Sequence, residues 1–268
     1  MGQPEQQAEG AGPFTTRLTW NLPDGGSAVW DSRLARRRGV LSVRPLSAAA
    51  TRHIPADATS LARLRRLNAI AVTAFVIGGA LFAAGAADAQ FGSGDATKCA
   101  SIYFADGLFF TAPRHVAGGE GRLTTRHWRW WSYEPTQVDW LSAFVLFAGT
   151  LVFAVDLLDS FLQGLTVQQV NRLIWTPDVI GCILFLISGH LAFVEICHGR
   201  LCARLHNLGW WIIAVNQLGS VLFMVSAVAA YTRPATGSLI NADIANWGTL
   251  TGALCFCLAG ILQLGEHS

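Results

Sequence analysis

Charge is scarce in this chain. Only 13% of its 268 residues are Asp, Glu, Lys or Arg, about half the share of an ordinary soluble domain. No leader is expected either. The first apolar run begins near Leu67, so no signal peptide is expected, and Ala87-Asp88-Ala89 lies too far along to serve as a cleavage site. Met1-Gly2 opens like a myristoylation signal, but Gln6 stands where Ser or Thr is required. The motifs of common enzymes are absent: there is no phosphate-binding loop, dinucleotide fingerprint, nucleophile elbow or His-Glu-x-x-His. No cofactor, catalytic residue or enzymatic activity is therefore expected. The six cysteines, Cys99, Cys182, Cys197, Cys202, Cys255 and Cys257, fall mostly inside apolar runs. There they behave as small hydrophobes and do not read as a disulfide framework. A net charge of +2 gives no sign of a nucleic-acid partner.

What is present is apolar. Hydrophobic residues make up 52% of the chain, with ten tryptophans. Arginine gathers before residue 66, and apolar runs with short polar gaps follow. This is the composition of a multi-span membrane protein with a polar N-terminal segment, and membrane lipids are its expected surroundings.

The runs share an internal repeat, Gly-x-x-x-Phe. It occurs as Gly78 to Phe82, Gly149 to Phe153, Gly181 to Phe185, Gly219 to Phe223 and Gly252 to Phe256. A sixth copy, Asp106 to Phe110, has an acid in the glycine slot. About one or two such matches are expected by chance, so six read as a repeat. Gly10 to Phe14 and Gly189 to Phe193 also match and are read as chance copies. Residues four apart share a helical face. Glycine lets a neighbouring backbone approach, and the phenylalanine packs over the contact. The position three after the Phe is mostly small too: Gly85, Ser188, Ser226 and Ala259. Pure packing is the plain reading. Pseudosymmetric halves around a transport site are the functional alternative.

Six spans are expected, near residues 67–87, 98–113, 140–161, 177–197, 209–231 and 244–264. The second is short and holds Asp106, so a re-entrant or interfacial segment is the competing reading. The distribution of positive charge favours crossing. With six spans and the N-terminus inside, 16 of the 19 Lys and Arg are cytoplasmic, leaving Lys98, Arg172 and Arg233 outside. Without that crossing the balance falls to 12 against 7. The predicted fold is all-α: a six-helix bundle over 67–265 with both termini cytoplasmic, preceded by a cytoplasmic extension over 1–66. In that extension, Phe14 to Trp20 and Ser27 to Trp30 flank the turn signal Pro23-Asp24-Gly25-Gly26. A short hairpin and a partly disordered tail compete there.

Tryptophans gather at span entrances: Trp128, Trp130, Trp131, Trp140, Trp175, Trp210, Trp211 and Trp247. Thr176-Pro177-Asp178 reads as a helix start with Thr as N-cap, and Asp139 opens the third span in the same way. The last two spans, Trp210 to Tyr231 and Asn246 to Phe256, resemble the YrhK-like family of bacterial membrane proteins, a hairpin of two spans with Gly-Ser-x-x-Phe motifs. Trp175 to Gly181 and Asp139-Trp140 with Gly149-Thr150 are similar to longer relatives of it. The resemblance covers about a fifth of the chain. It implies a bacterial cytoplasmic-membrane protein and carries no catalytic residue.

Few residues offer chemistry. Asp106 falls near the expected midplane, where a charge is costly. It is read three ways: hydrogen-bonded between helices, part of a re-entrant segment, or a proton or cation site with His190 as partner. Otherwise His190 is expected to bond a neighbouring helix. Asp156 and Asp159 share a face near the outer end of the third span and are expected to be solvated. Glu195 is expected to snorkel. Cys197, His198, Cys202 and His206 lie close together, but their spacing matches no standard metal site. The chain is thus expected to be a structural or accessory membrane protein, with a small transporter or channel for protons or a small solute as alternative. A protein partner or a second copy of the chain stays open.

Overall fold

The computed structural model describes residues 6–11, 14–23, 25–38, 40–46, 51–55, 58–92, 138–200 and 202–265. The N-terminal segment is a sheet, so the fold is not purely α-helical. Five short strands, β1 (Gln6–Ala11), β2 (Phe14–Asn21), β3 (Ser27–Asp31), β4 (Val40–Arg44) and β5 (Arg52–Pro55), form an antiparallel meander in chain order. The expected hairpin is β2 and β3, with Leu18 opposite Trp30 and Trp20 opposite Ala28. Its turn closes through Leu22 N–H to the Gly26 carbonyl at 2.8 Å. Gly25 takes φ +79°, a left-handed conformation that suits glycine. A short helix, α1 (Ser32–Arg38), links β3 to β4.

Beyond the sheet the described chain is helical: α2 (Ala58–Phe91), α3 (Val138–Asp159), α4 (Val167–Val170), α5 (Thr176–Ile196), α6 (Leu208–Ala229) and α7 (Ala242–Gly265). A π-turn, Asn171–Trp175, joins α4 to α5. Five segments are long and apolar enough to cross a membrane: Asn68–Phe91, Trp140–Asp159, Val167–Ile196, Leu208–Ala229 and Ala242–Gly265. Their outward faces carry the apolar residues expected of a lipid-facing surface, such as Ile180, Ile183 and Ile187 on α5. The expected second span, with Asp106 and Phe110, lies outside the described residues.

The fourth helix does not start at Thr176. Thr166 is the cap instead: its hydroxyl accepts from Gln169 N–H and Gln169 Oε1 accepts from Thr166 N–H, a capping box. The helix then runs through the π-turn into Pro177. A proline inside a helix removes one N–H and crowds the preceding turn, and a wide turn relieves that crowding. Thr176 donates back to the Asn171 carbonyl at 2.7 Å.

The packed helix pairs α3–α5, α6–α7 and α2–α7 are antiparallel. Ser142 and Ser188 exchange hydroxyl-to-carbonyl bonds at 2.9 and 2.8 Å, which sets α3 antiparallel to α5. Ser226 donates to the Ala245 carbonyl at 2.6 Å, setting α6 against α7. Cys257 packs on Val76 and Gly79, and Gln90 reaches Asp243, so α2 runs antiparallel to α7. The sheet sits at the end where α5 finishes and α6 begins, because Ser32 bonds Glu195 and Arg33 bonds the Gly209 carbonyl. Both α2 and α3 therefore run away from the sheet. The end of α2 and the start of α3 lie on opposite faces of the bundle.

The repeat works by exchange. A β-carbon on Gly149 would lie 2.8 Å from the Phe185 ring, and one on Gly181 would strike the Phe153 ring. A β-carbon on Gly219 would lie 3.2 Å from Phe256, and one on Gly252 3.3 Å from Phe223. Each phenylalanine thus covers its partner helix's glycine. Gly78 is buried, but the tight contact in α2 belongs to Gly79, 3.0 Å from the Cys257 nitrogen. The five described repeat phenylalanines meet at the bundle centre. Phe82 and Phe223 are 5.2 Å apart, Phe153 and Phe185 5.2 Å, Phe223 and Phe256 5.3 Å, and Phe185 and Phe256 5.9 Å. They line a small cavity of about 30 Å³ together with Gly79, Thr150 and Leu157. It has room for a water but little to bond one, because Thr150 already donates to the Phe147 carbonyl. The Gly189 match is indeed unlike the rest: its missing side chain makes room for Gln217 rather than for a ring.

Candidate functional site

The polar groups inside the helices are few and separate. Asp106 lies outside the described residues. His190 is on the exposed surface of α5 and bonds no described residue. Asp156 is not solvated: it is 9% exposed, and its Oδ1 has no hydrogen-bond partner among the described residues. The π-turn contributes to this, since it extends the fourth span past its expected start and packs on α3. Two further acids, Asp178 in the first turn of α5 and Asp159 on α3 itself, are near enough to act on it. Cys182 in turn approaches Asp178 Oδ1 at 3.8 Å. Gln217 Oε1 and Asn216 Oδ1 on α6 are also buried without a partner among the described residues.

A second concentration of polar groups lies at the seam between sheet and bundle. Glu195 does not snorkel. It is 3% exposed and accepts from the Ser32 hydroxyl at 2.9 Å. A buried carboxylate persists only where hydrogen bonds replace its water. Ser32 is one that no local pattern could disclose, 163 residues away in sequence. Three residues after Glu195, His198 Nδ1 lies 2.9 Å from the Thr16 hydroxyl, and Nε2 lies 3.7 Å from Asp31. Thr16 also donates to the Glu9 carbonyl at 3.2 Å. Burial holds the His198 imidazole below its ordinary pKa. Arg204 and Arg17 act in the same direction, while Asp31 and Glu9 oppose it. The neutral ring is thus favoured, and its contact with Thr16 is a hydrogen bond between neutral groups. The backbone of His198 has φ +50°, left-handed and uncommon for a residue with a β-carbon.

Cys197 and Cys202 are joined in a disulfide, with Cα atoms 5.6 Å apart. This corrects the expectation that the cysteines form no bridge, and it removes both from any metal site. Among the described residues no group of three His, Cys, Asp or Glu could hold a metal ion. The bridge packs with Ile196 and Ile213 under Phe193 and Trp210. Trp210 Nε1 donates to the Cys202 carbonyl at 3.1 Å, and Trp211 Nε1 to the Leu205 carbonyl at 2.9 Å. At the far end Trp175 Nε1 donates to the Ala227 carbonyl at 2.8 Å. These tryptophans hold the two ends of the bundle with satisfied ring N–H groups, as expected of interface residues.

No protein-family model, no curated protein and no solved structure matches the chain. The reading therefore rests on geometry.

Proposed function

We propose that the chain is a six-span, non-enzymatic membrane protein with a structural or accessory role, which holds its small sheet against one face of the bilayer. The observation that carries this is the bundle interior. Among the described residues, reciprocal Gly–Phe contacts and five converging rings surround a small apolar cavity at the centre. Such an interior suits a rigid mount better than a conduit, which needs a polar, hydrated path. The opposite directions of helix end and helix start, α2 to α3, support a further crossing within 92–137 if each described helix spans. That gives three successive two-helix units, in keeping with the resemblance of the last one to the YrhK-like hairpin. The sheet face carries Arg17, Arg33, Arg44, Arg52, Arg200 and Arg204, against Arg172 and Arg233 at the far face. The sheet is accordingly assigned to the cytoplasm of a bacterial cell, with both termini there. Cysteines introduced singly as Gly121→Cys and Thr236→Cys, in a cysteine-free background, test this. A membrane-impermeant maleimide applied to cells should label Thr236→Cys and spare Gly121→Cys. Labelling of both from outside would refute the six-span reading.

A second reading, a small transporter for protons or a solute, is favoured by one observation, the buried Asp156 opposite Asp178. Purified protein in proteoliposomes should leave an imposed pH gradient intact under the first reading. Collapse of the gradient by wild type, but not by Asp156→Asn, would establish the second.

A further inference from the structure

We infer that Cys197–Cys202 is a reversible thiol–disulfide site that sets how firmly the N-terminal sheet docks on the membrane bundle. Two structural observations place it there, and the proposed orientation adds a third ground. The bridge closes the turn between α5 and α6, and polar contacts that this turn makes with the N-terminal segment flank it or lie inside it. Glu195, which accepts from Ser32, is two residues before Cys197. His198, which meets Thr16 and Asp31, lies within the ring. Second, His198 is held at φ +50°, a backbone state that a side chain disfavours. Such departures survive only where the surroundings over-determine them, and here the surroundings are the bridge and the sheet. Opening the bridge lets this residue relax, and its ring then leaves Thr16. Third, the arginines put this face in the cytoplasm, where thiol reductants keep protein cysteines reduced and bridges are transient and regulatory. This last step rests on the orientation proposed above.

The chemistry is exchange with a dithiol. Cys202 is the more exposed residue of the pair, and Cys197 is buried. A thiolate of the reductant attacks Cys202 Sγ, the protein S–S bond breaks, and Cys197 leaves as a thiolate that takes up a proton. The second thiol of the reductant attacks the mixed disulfide and frees Cys202. Two electrons and two protons pass to the protein, and the dithiol departs as its disulfide. A disulfide oxidant drives the same steps in reverse.

The experiment uses the full chain in lipid nanodiscs, with dithiothreitol as reductant and oxidised dithiothreitol or diamide as oxidant. Thiol alkylation and mass spectrometry report the bridge, and amide hydrogen exchange reports the sheet. Opening the bridge should accelerate exchange over residues 14–38 by about tenfold, and reoxidation should restore protection. The Cys197→Ser, Cys202→Ser double variant should show the fast exchange under both conditions, with α6 and α7 still protected. Unchanged exchange over 14–38 in protein shown to be fully reduced overturns the switch. So does finding both thiols free after the oxidant. A separate arm tests the orientation. If, in cells treated with dithiothreitol, an impermeant maleimide reaches Cys202 from outside, the cytoplasmic assignment fails, whereas the exchange result still decides whether the bridge governs docking.

Discussion

A side chain placed at Gly219 or Gly252 meets backbone first, and that sets its cost. The β-carbon of Gly219→Ala would lie 3.0 Å from the Gly252 carbonyl oxygen, 3.2 Å from Cys255 Cβ and 3.2 Å from the Phe256 ring. In the reverse direction, Gly252→Ala would place its β-carbon 3.1 Å from the Gly219 oxygen. A ring can swing aside, but the two carbonyls belong to helices fixed by Ser226 and its bond to Ala245. The helices must separate, and the separation opens contacts along the whole α6–α7 pair. Overpacking of this kind costs about 1–3 kcal/mol, with alanine at the low end and leucine at or above the high end. For a chain of this size that is a fall in melting temperature of about 3–10 °C. Gly149 offers a contrast, because its nearest neighbours are the Phe185 ring and Leu184 Cβ rather than a carbonyl. Gly149→Ala should therefore be partly rescued by Phe185→Leu, whereas Gly219→Ala should not be rescued by Phe256→Leu. Thermal unfolding in detergent, followed by size-exclusion fluorescence, is the readout. Leu218→Ala and Leu254→Ala, at residues 51% and 52% exposed on the outer faces, serve as controls. Leucine variants at both glycines that melt with wild type would refute the exchange packing.

The seam gives two more expectations. His198 has its pKa lowered by burial, so between the folded value and the unfolded value of about 6.5 the unfolded ring binds more protons. The contribution of the neutral ring to docking is present above that window and lost as pH falls through it. Amide exchange over residues 14–31 should quicken as pH is lowered below about 6.5, after correction for intrinsic exchange, and His198→Asn should flatten that dependence. Ser32→Ala removes a hydroxyl from the buried Glu195 carboxylate and should weaken docking by about 1–2 kcal/mol, with a smaller loss when Glu195→Gln is already present; a double-mutant cycle on the same exchange readout checks the coupling.

What the sequence disclosed depended on the range of the interaction. A span declares itself because about 20 residues in a row must be apolar, and five described helices fall within a few residues of the expected runs apart from the fourth. The fourth begins earlier because Thr166 and Gln169 form the cap, while Pro177, which resembles a start, is carried by a π-turn. The repeat was legible as a pattern, but its partners were not: spacing cannot show that Phe185 covers Gly149 rather than its own helix's Gly181. In the N-terminal segment only the β2–β3 hairpin has a turn signal. β1 and β5 are short and largely solvent-facing and β4 is only half-buried, with a charged pair, Arg17 and Glu9 at 3.6 Å, on the sheet itself. Alternation cannot mark strands that bury so little.

The same contrast bears on Asp156. An acid five residues from the end of an expected span reads as solvated, and the length of the neighbouring helix overturned that. Val167–Trp175 adds nine residues of protein beyond the expected start of the fourth span, and the π-turn within them packs on α3. Water that an isolated α3 would give Asp156 is thereby excluded. A carboxylate so placed is costly to keep near Asp178, and packing does not require it: the corresponding positions after the other described repeat phenylalanines are the small residues Gly85, Ser188, Ser226 and Ala259, of which Ser188 and Ser226 bond across to the partner helix. Asp156 stands at the same offset from Phe153 as those serines from Phe185 and Phe223. In α3 the interhelical bond is instead supplied by Ser142, one helix turn from the sheet face. The α3–α5 pair thus carries its hydroxyl contact at the opposite end from the α6–α7 pair and leaves the vacated position to an acid.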